Sequence, residues 1–408
     1  MFSRREYFST ETAKIRSMMT TNEVLSRWVD QVYPTKEEFL TALEKRKLKI
    51  YLGVDPTGPD LHLGHSTNLL LLKYFQELGH KIIFLVGDFT AMIGDPTGRE
   101  ESRKKLSQEE VRKNGRKFKE QAGKIIKFSG SNPAALEFNS RWWGKMTLSE
   151  GLSIGYNFTL QQLIERDMFQ KRLKRNEPIS FPEAFYPILQ GYDSVALDVD
   201  VEVGGTDQTF NMLAGRELLK KLKGKEKFVI TTTLLENPKT GKKLMSKTEG
   251  NYVGLSMLPQ DMFGAVMALP DEAVVPVFEL CTEVPSAKIA ELKNLLVSAP
   301  VKAKKTLALE ITRIYHGDKR AEESQKEFEG VFSRGGTPED APVWKVAGEK
   351  IDLVDLLAGK RIVGSKSEAR RLIEQGGVTL NRQKLTNPEQ ILSKGVLRIG
   401  KKTFIKIE

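Results

Sequence analysis

Apolar residues recur at helical spacing between Thr21 and Lys47, where Val24, Leu25, Trp28 and Val29 are followed by Phe39, Leu40 and Leu43. The short apolar run KIYLGVD, Lys49 to Asp55, predicts a strand, and PTGPD after it a turn. An amphipathic pattern from His65 to Leu78 predicts a helix stopped by Gly79. KIIFLVG, Lys81 to Gly87, is apolar throughout, as strands buried in parallel sheets are. Strand, helix and strand in this order make a βαβ unit. Further strands are expected at Ser194 to Val203 and Lys227 to Leu235, with helical segments between. The expected architecture is α/β, a Rossmann-like doubly wound parallel sheet. From about Pro259 to Phe332 the pattern is helical only. The Gly- and Pro-rich SRGGTPEDAP after it reads as a linker, and short alternating elements return beyond.

Composition narrows this picture. At 408 residues, 39% hydrophobic and 29% charged, the chain suits two or three water-soluble domains. No apolar run approaches the roughly 20 residues of a membrane span. The opening MFSRREYFST lacks an apolar core, which argues against a secretory signal. Glu6 and Glu11 weigh against a transit peptide, so a cytoplasmic location is expected. One cysteine, Cys281, excludes an internal disulfide and a multi-cysteine metal site, and VFELCTEV reads as a buried helical position. The net charge of +11 favours a polyanionic partner. From Ala341 onward there are 14 Lys and Arg against 7 Asp and Glu, so most of the excess sits in the tail.

Two segments carry candidate chemistry. LHLGH, Leu61 to His65, lies between a strand end and a helix start, where unpaired N–H groups and the helix dipole favour an anion. Gly64 allows close approach to the backbone, and His62 and His65 can hydrogen-bond phosphate oxygens. An H-x-x-H pair also suits a metal half-site or an ordinary surface. GKKLMSKTEGN, Gly241 to Asn251, is a Gly-, Lys- and Ser-rich loop able to close over a triphosphate, or simply a solvated basic loop. A third pattern is geometric. Tyr186, Gln190 and Asp193 fall at i, i+4 and i+7, a polar stripe on one helix face after the capping-box sequence SFPE. Pro187 predicts a kink there. Such a stripe is costly to bury without protein or ligand partners.

With YLGVDPTGPDLHLGH, GDFTAMIGDPTGR, YPILQGYD and VGGTDQ in this order, the chain resembles the tyrosyl-tRNA synthetases among class I aminoacyl-tRNA synthetases. LHLGH and the Lys-rich loop resemble that class's HIGH and KMSKS signatures. The resemblance implies tyrosine, ATP with Mg²⁺, and tRNA(Tyr) as substrates, no protein-bound metal, and a homodimer. It places His62, His65 and Lys247 at the ATP phosphates as catalytic groups. Asp55, Thr57, Gly64, Gly205, Asp207, Gln208 and Ser246 would line the ATP site. Tyr51 and Asp193 would hydrogen-bond the substrate phenol, and Asp95, Tyr186 and Gln190 its ammonium group. The loop departs from the family pattern: Leu244 occupies the first lysine position, which leaves Lys243 as the substitute one residue early. Tyrosyl enzymes are the known example of rejecting phenylalanine about 10⁵-fold through hydroxyl recognition without editing.

The tail, KIDLVDLL with GSKSEARRLIEQGGVTLNRQKL, resembles the small alpha-L RNA-binding module of bacterial-type tyrosyl enzymes. Lys366, Arg370 and Arg371 lie on or beside its expected helix, suited to phosphate contact or simply a solvated face. The expected organisation is a catalytic domain over 1–240, a mobile signature loop over 241–255 and a helical anticodon-recognition domain over 256–333. A linker over 334–342 and an α+β RNA-binding domain over 343–408 follow. Three rivals share parts of the pattern. A tryptophanyl enzyme lacks the phenol-suited pair Tyr51 and Asp193. A catalytically silent RNA-binding protein is favoured only by Leu244. A small-molecule nucleotidyltransferase leaves the helical and tail regions unexplained.

Overall fold

The computed structural model describes residues 19–97, 106–245, 251–330, 342–344, 352–360, 362–381, 383–389, 395–400 and 403–407. The chain divides into two compact units, residues 1–321 and 322–408.

The first unit is built on six strands, β1 (Val29–Tyr33), β2 (Lys49–Val54), β3 (Lys81–Val86), β4 (Ala135–Phe138), β5 (Val201–Gly205) and β6 (Phe228–Thr232). Their order is β1-β6-β5-β2-β3-β4, parallel throughout except for the antiparallel edge pair β1–β6. β3 is buried along nearly its whole length, as its unbroken apolar sequence requires. Two expectations change. The Thr21–Lys47 region is two helices, Thr21–Trp28 and Lys36–Lys45, with β1 between them. The DQVY part of β1 has little apolar alternation, and its strand state comes from pairing with β6. Ser194–Val199 is not strand: the helix beginning at Phe181 runs to Leu197, and β5 starts only at Val201. That helix is continuous through Pro187.

No strand interrupts the described residues 259–330, which form the helices Pro259–Met267, Asp271–Cys281, Ser286–Ser298, Pro300–His316 and Asp318–Phe328. Cys281 is buried at the end of one of them. Arg27 joins this bundle to the sheet region: its guanidinium donates to the carbonyls of Phe278 (2.6 Å) and Thr282 (2.7 Å). These are end groups that a helix leaves without internal partners. Burial lowers the Arg27 pKa to about 10, still charged at neutral pH.

His80 is a structural histidine, 1% exposed, whose Nδ1 accepts the Leu48 amide (3.1 Å) and so must stay neutral. Burial, with Lys47 nearby, lowers its pKa to about 4, below the ordinary 6.5. His316 is lowered to about 4 as well, chiefly by burial. The unfolded chain then binds more protons than the native one between these values. Stability contributed by both groups is therefore full above about pH 6.5 and falls as pH drops toward 4. Melting temperature measured across that window should decline, and the decline should be shallower in His80→Gln.

The second unit carries β7 (Val343–Trp344), β8 (Val378–Leu380), β9 (Gln383–Leu385), β10 (Gly395–Ile399) and β11 (Thr403–Ile407), ordered β7-β11-β10-β8-β9. Helices Leu353–Gly359 and Lys366–Glu374 pack on it around Leu353, Leu357, Ile373, Val378, Leu397 and Ile405. It has its own core. The expected linker lies almost wholly outside the described residues.

Candidate active site

The LHLGH segment forms a short 3₁₀ turn, Leu63–His65, feeding the helix Ser66–Glu77. Its first histidine folds back on itself: the Gly64 amide donates to His62 Nδ1 (3.1 Å), and the His62 amide donates to His65 Nδ1 (3.2 Å). The two rings lie 4.2 Å apart. Burial lowers the His65 pKa, so the ring is neutral at pH 7 and keeps Nδ1 as an acceptor and Nε2–H as a donor. A Cβ on Gly64 would come within 2.9 Å of the His62 ring. The segment is pinned from the other side, since the Leu63 amide donates to Val253 O (3.0 Å) and the Leu255 amide to Leu61 O (2.8 Å). The chain that leaves the Lys-rich loop is thereby paired against the histidine turn.

Helix Phe181–Leu197 lies along β2, from Asp55 beyond its carboxyl end, met by Tyr186, to Lys49 at its amino end, which donates to Leu197 O (3.1 Å); it is started by the expected capping box, in which the Ser180 amide donates to Glu183 (3.1 Å). Asp193 on it is 3% exposed and receives three donors. Trp142 Nε1–H (2.9 Å) and Trp143 Nε1–H (3.2 Å) donate to Oδ1, and Asn139 Nδ2–H (3.3 Å) to Oδ2. Burial pushes the Asp193 carboxyl well above the usual carboxylate range, against the pull of those donors. Tyr186 donates to Asp55 Oδ2 (2.7 Å), Thr90 donates to Asp55 Oδ1 (2.7 Å), and Asn139 donates to Thr90 (2.9 Å). Asp55 and Asp193 are thus ends of one hydrogen-bonded chain. Gly87 makes room for it, because a Cβ there would lie 2.1 Å from Asp55 Oδ1. Thr57 stands in the turn after Asp55, its amide donating to Asp55 O (2.8 Å).

On β2, Tyr51 is 1% exposed and pairs in register with Glu202 of β5. The Tyr51 hydroxyl lies 3.0 Å from Ser194 Oγ. Burial, with Glu202 and Asp193 nearby, raises its pKa well above the ordinary value of 10, so it keeps its proton. Gln190 donates to Glu202 (3.2 Å) and accepts from Asn211 (2.9 Å). Asn211 also donates to Gln208 (3.1 Å), which donates to Asp95 (2.8 Å). Asp95 holds the Thr97 hydroxyl (2.6 Å), and Thr97 accepts from Arg166 (2.6 Å).

The Gly205 turn leads to Asp207, whose Oδ2 pairs with Lys243 Nζ at 2.7 Å. Lys243 therefore faces the site, while Leu244 is buried, 6% exposed, its amide donating to Leu235 O. The first-lysine position of the loop is a core position here, which explains why lysine is absent from it. Ser246 and Lys247 lie outside the described residues. In the second unit Lys366, Arg370 and Arg371 are all exposed on the helix Lys366–Glu374, with Ala369 and Ile373 turned inward. Lys366 pairs with Asp355 (2.7 Å).

The structure thus gathers Tyr51, Asp55, Asp95, Tyr186, Gln190, Asp193, Gln208 and their partners into two connected polar chains that share helix Phe181–Leu197. Sequence reading missed Thr90, Asn139, Trp142, Trp143, Arg166, Ser194, Glu202, Asn211 and Lys227. One signal was available: Glu202 is a lone acidic residue inside the apolar strand VEVGG. Nothing in SRWWG announced that both indoles would turn to one carboxylate.

A parallel sheet carrying a histidine turn, a returning Lys-rich segment and a helix bearing a buried polar stripe is the arrangement of a class I tRNA synthetase. The family described as tRNA synthetases class I (W and Y) matches residues 43–333, and the tyrosine–tRNA ligase SYY-like C-terminal domain matches residues 334–407. The chain is 42% identical to the tyrosine–tRNA ligase of Carboxydothermus hydrogenoformans, over 94% of this chain and 97% of that one. It is 41% identical to that of Haemophilus influenzae, over 94% and 95%. A C-terminally truncated mitochondrial tyrosyl-tRNA synthetase of Coccidioides posadasii has a similar structure, with a TM-score of 0.61 and 27% identity over 79% of this chain and 95% of that one. The chain belongs to the tyrosine–tRNA ligase family, whose general reaction is ATP-dependent aminoacylation in two steps.

Proposed function

We propose that the pocket bounded by Tyr51, Asp193 and helix Phe181–Leu197 selects L-tyrosine for transfer to tRNA(Tyr). The observation that carries this reading is Asp193, a fully buried carboxyl oriented by two indoles and an amide, beside a protonated Tyr51. Together they offer an acceptor and a donor to one phenol hydroxyl. Asp95, Tyr186 and Gln190 receive the ammonium group, which needs acceptors in a buried place. The tyrosine carboxylate attacks the α-phosphorus of Mg-ATP and pyrophosphate leaves; a 3′-terminal ribose hydroxyl of the tRNA then attacks the acyl carbon of the adenylate, taking the tyrosyl group and releasing AMP. His62 and His65 meet the phosphates as hydrogen-bond donors at the turn, together with the Gly64 backbone. Asp55, Thr57, Gly205, Asp207, Gln208 and Ser246 shape the ATP site, and Mg²⁺ arrives with the nucleotide. Lys247 acts on the leaving pyrophosphate. Catalysis is positioning and charge stabilisation, without a covalent enzyme intermediate. Pyrophosphate exchange run with each amino acid tests the reading: tyrosine alone should support it, and equal exchange with tryptophan would sink it.

Lys243 is the second cation of the loop. Its ion pair with Asp207 is half exposed, hence cheap to break, and leaves the ammonium within the site. Lys243→Ala should slow adenylate formation about tenfold, or ~1.4 kcal/mol, while ground-state ATP binding changes less. Pre-steady-state adenylate formation measures this, and a silent Lys243→Ala would refute the role.

The remaining features extend the proposal. The helical domain of 256–333 serves anticodon recognition, following the catalytic part (1–240) and the loop (241–255). After the linker (334–342), the module of 343–408 binds RNA through Lys366, Arg370 and Arg371. Leu148, Leu152 and Tyr156 form an i, i+4, i+8 stripe exposed at 80%, 50% and 89%, with Phe181 at 69%. An apolar stripe this bare needs a cover, and a second copy in a homodimer supplies one. Among the described residues no helix is long and apolar enough to cross a membrane. A cytoplasmic location is consistent with that.

A further inference from the structure

Lys227, immediately before β6, is a charged residue with no exposed side-chain surface, an uncommon placement for lysine. Three features house it. Its ammonium pairs with Glu202, which is 2% exposed, and donates to Ser194 Oγ at 2.5 Å. It also lies 5.8 Å from the centre of the Tyr51 ring. The space exists because helices Phe181–Leu197 and Thr209–Lys223 touch through glycines. A Cβ on Gly215 would sit 2.7 Å from Lys227 Nζ, and one on Gly191 would sit 3.0 Å from the Gly215 backbone. Burying an ion pair rarely adds stability over apolar side chains of similar volume, so the arrangement calls for another reason.

Counting protons supplies one. An ammonium is a pure donor, and a serine hydroxyl has one proton and two acceptor sites. Lys227 occupies one acceptor site of Ser194. Glu202 is already supplied at Oε2 by Lys227 and at Oε1 by Gln190. The Ser194 hydroxyl joins three groups: it accepts from the Lys227 ammonium, donates to Glu202 Oε2 (3.2 Å), and lies 3.0 Å from the Tyr51 hydroxyl. Lys227, Glu202 and Ser194 together thereby fix where the Tyr51 hydroxyl stands against the pocket. The substrate hydroxyl then accepts from Tyr51 and donates to Asp193. We propose that Lys227, through Ser194 and Glu202, is a specificity-determining positioning residue that fixes the Tyr51 hydroxyl against the substrate phenol. The proposal rests on the tyrosine pocket described above and assigns a role beneath it to residues that touch no substrate.

Three variants of the full chain test it, compared by kcat/KM for tyrosine and for phenylalanine in pyrophosphate exchange. Ser194→Ala breaks the relay and leaves the ion pair. Lys227→Met with Glu202→Leu removes both charges together, so no lone charge is buried. Tyr51→Phe is the reference for the pocket itself. The tyrosine-to-phenylalanine ratio should fall about tenfold in Ser194→Ala and in the double variant, with KM for ATP unchanged. A merely structural role would lower melting temperature and all rates while leaving that ratio alone. If Tyr51→Phe lowers the ratio and Ser194→Ala does not, the relay is overturned and the pocket stands. If Tyr51→Phe also leaves the ratio intact, the pocket reading fails and the relay with it. Should the double variant fail to fold, Ser194→Ala decides alone.

Discussion

Asp193→Ala should lower kcat/KM for tyrosine in pyrophosphate exchange by about a thousandfold, equivalent to ~4 kcal/mol. Two losses combine. The phenol loses a hydrogen bond to a charged acceptor, worth about 1.5–3 kcal/mol. The N–H groups of Trp142, Trp143 and Asn139 also lose their acceptor inside a closed pocket. Asp193→Asn separates these effects, because asparagine keeps the shape and one acceptor oxygen. A large loss in Asp193→Asn with an unchanged melting temperature identifies the ionised carboxylate as the working form. Near-normal tyrosine turnover in Asp193→Ala would remove the proposed pocket altogether.

Deleting residues 334–408 should reduce tRNA charging by about a hundredfold while tyrosyl-adenylate formation stays within about threefold of the full chain. The estimate takes ~1 kcal/mol for each phosphate contact by Lys366, Arg370 and Arg371, a modest value for charge-assisted contacts. These side chains are exposed on one helix of a unit with its own core, so removing them need not disturb the sheet that holds the pocket. Charging by the shortened chain should also depend less steeply on salt, because fewer phosphates are neutralised. Parallel aminoacylation and exchange assays decide. An equal loss in both half-reactions would mean that the module supports the catalytic unit instead of the RNA.

Much of this molecule is written in local pattern. KIYLGV and KIIFLV are strands because short apolar runs must be covered on both faces, and LHLGH starts a helix because its glycine and histidines sit where backbone amides are bare. The i, i+4, i+7 spacing of Tyr186, Gln190 and Asp193 was enough to place three polar groups on one helix, and that helix continues through Pro187. Where local pattern was weak, pairing decided. The DQVY segment of β1 is a strand because β6 offers it an edge, and the four residues after Asp193 stay helical because they pack on the sheet before β5 begins.

The site divides in the same way. Residue type and spacing along one element determined which polar groups belong to it, and the order of four sequence blocks determined the family. Only the tertiary structure decided what those groups do to one another. Two indoles from Ser140–Trp143 meet Asp193 about fifty positions away, and Lys227 reaches Glu202 and Ser194 across two glycines on separate helices. Leu244 likewise looks like a damaged signature in the sequence and is a core residue in the fold, while Lys243 turns to Asp207. The physical reason is common to all three. Periodicity reports how a segment meets its surroundings, whereas burial of charge and the direction of a proton depend on partners that only long-range packing brings together.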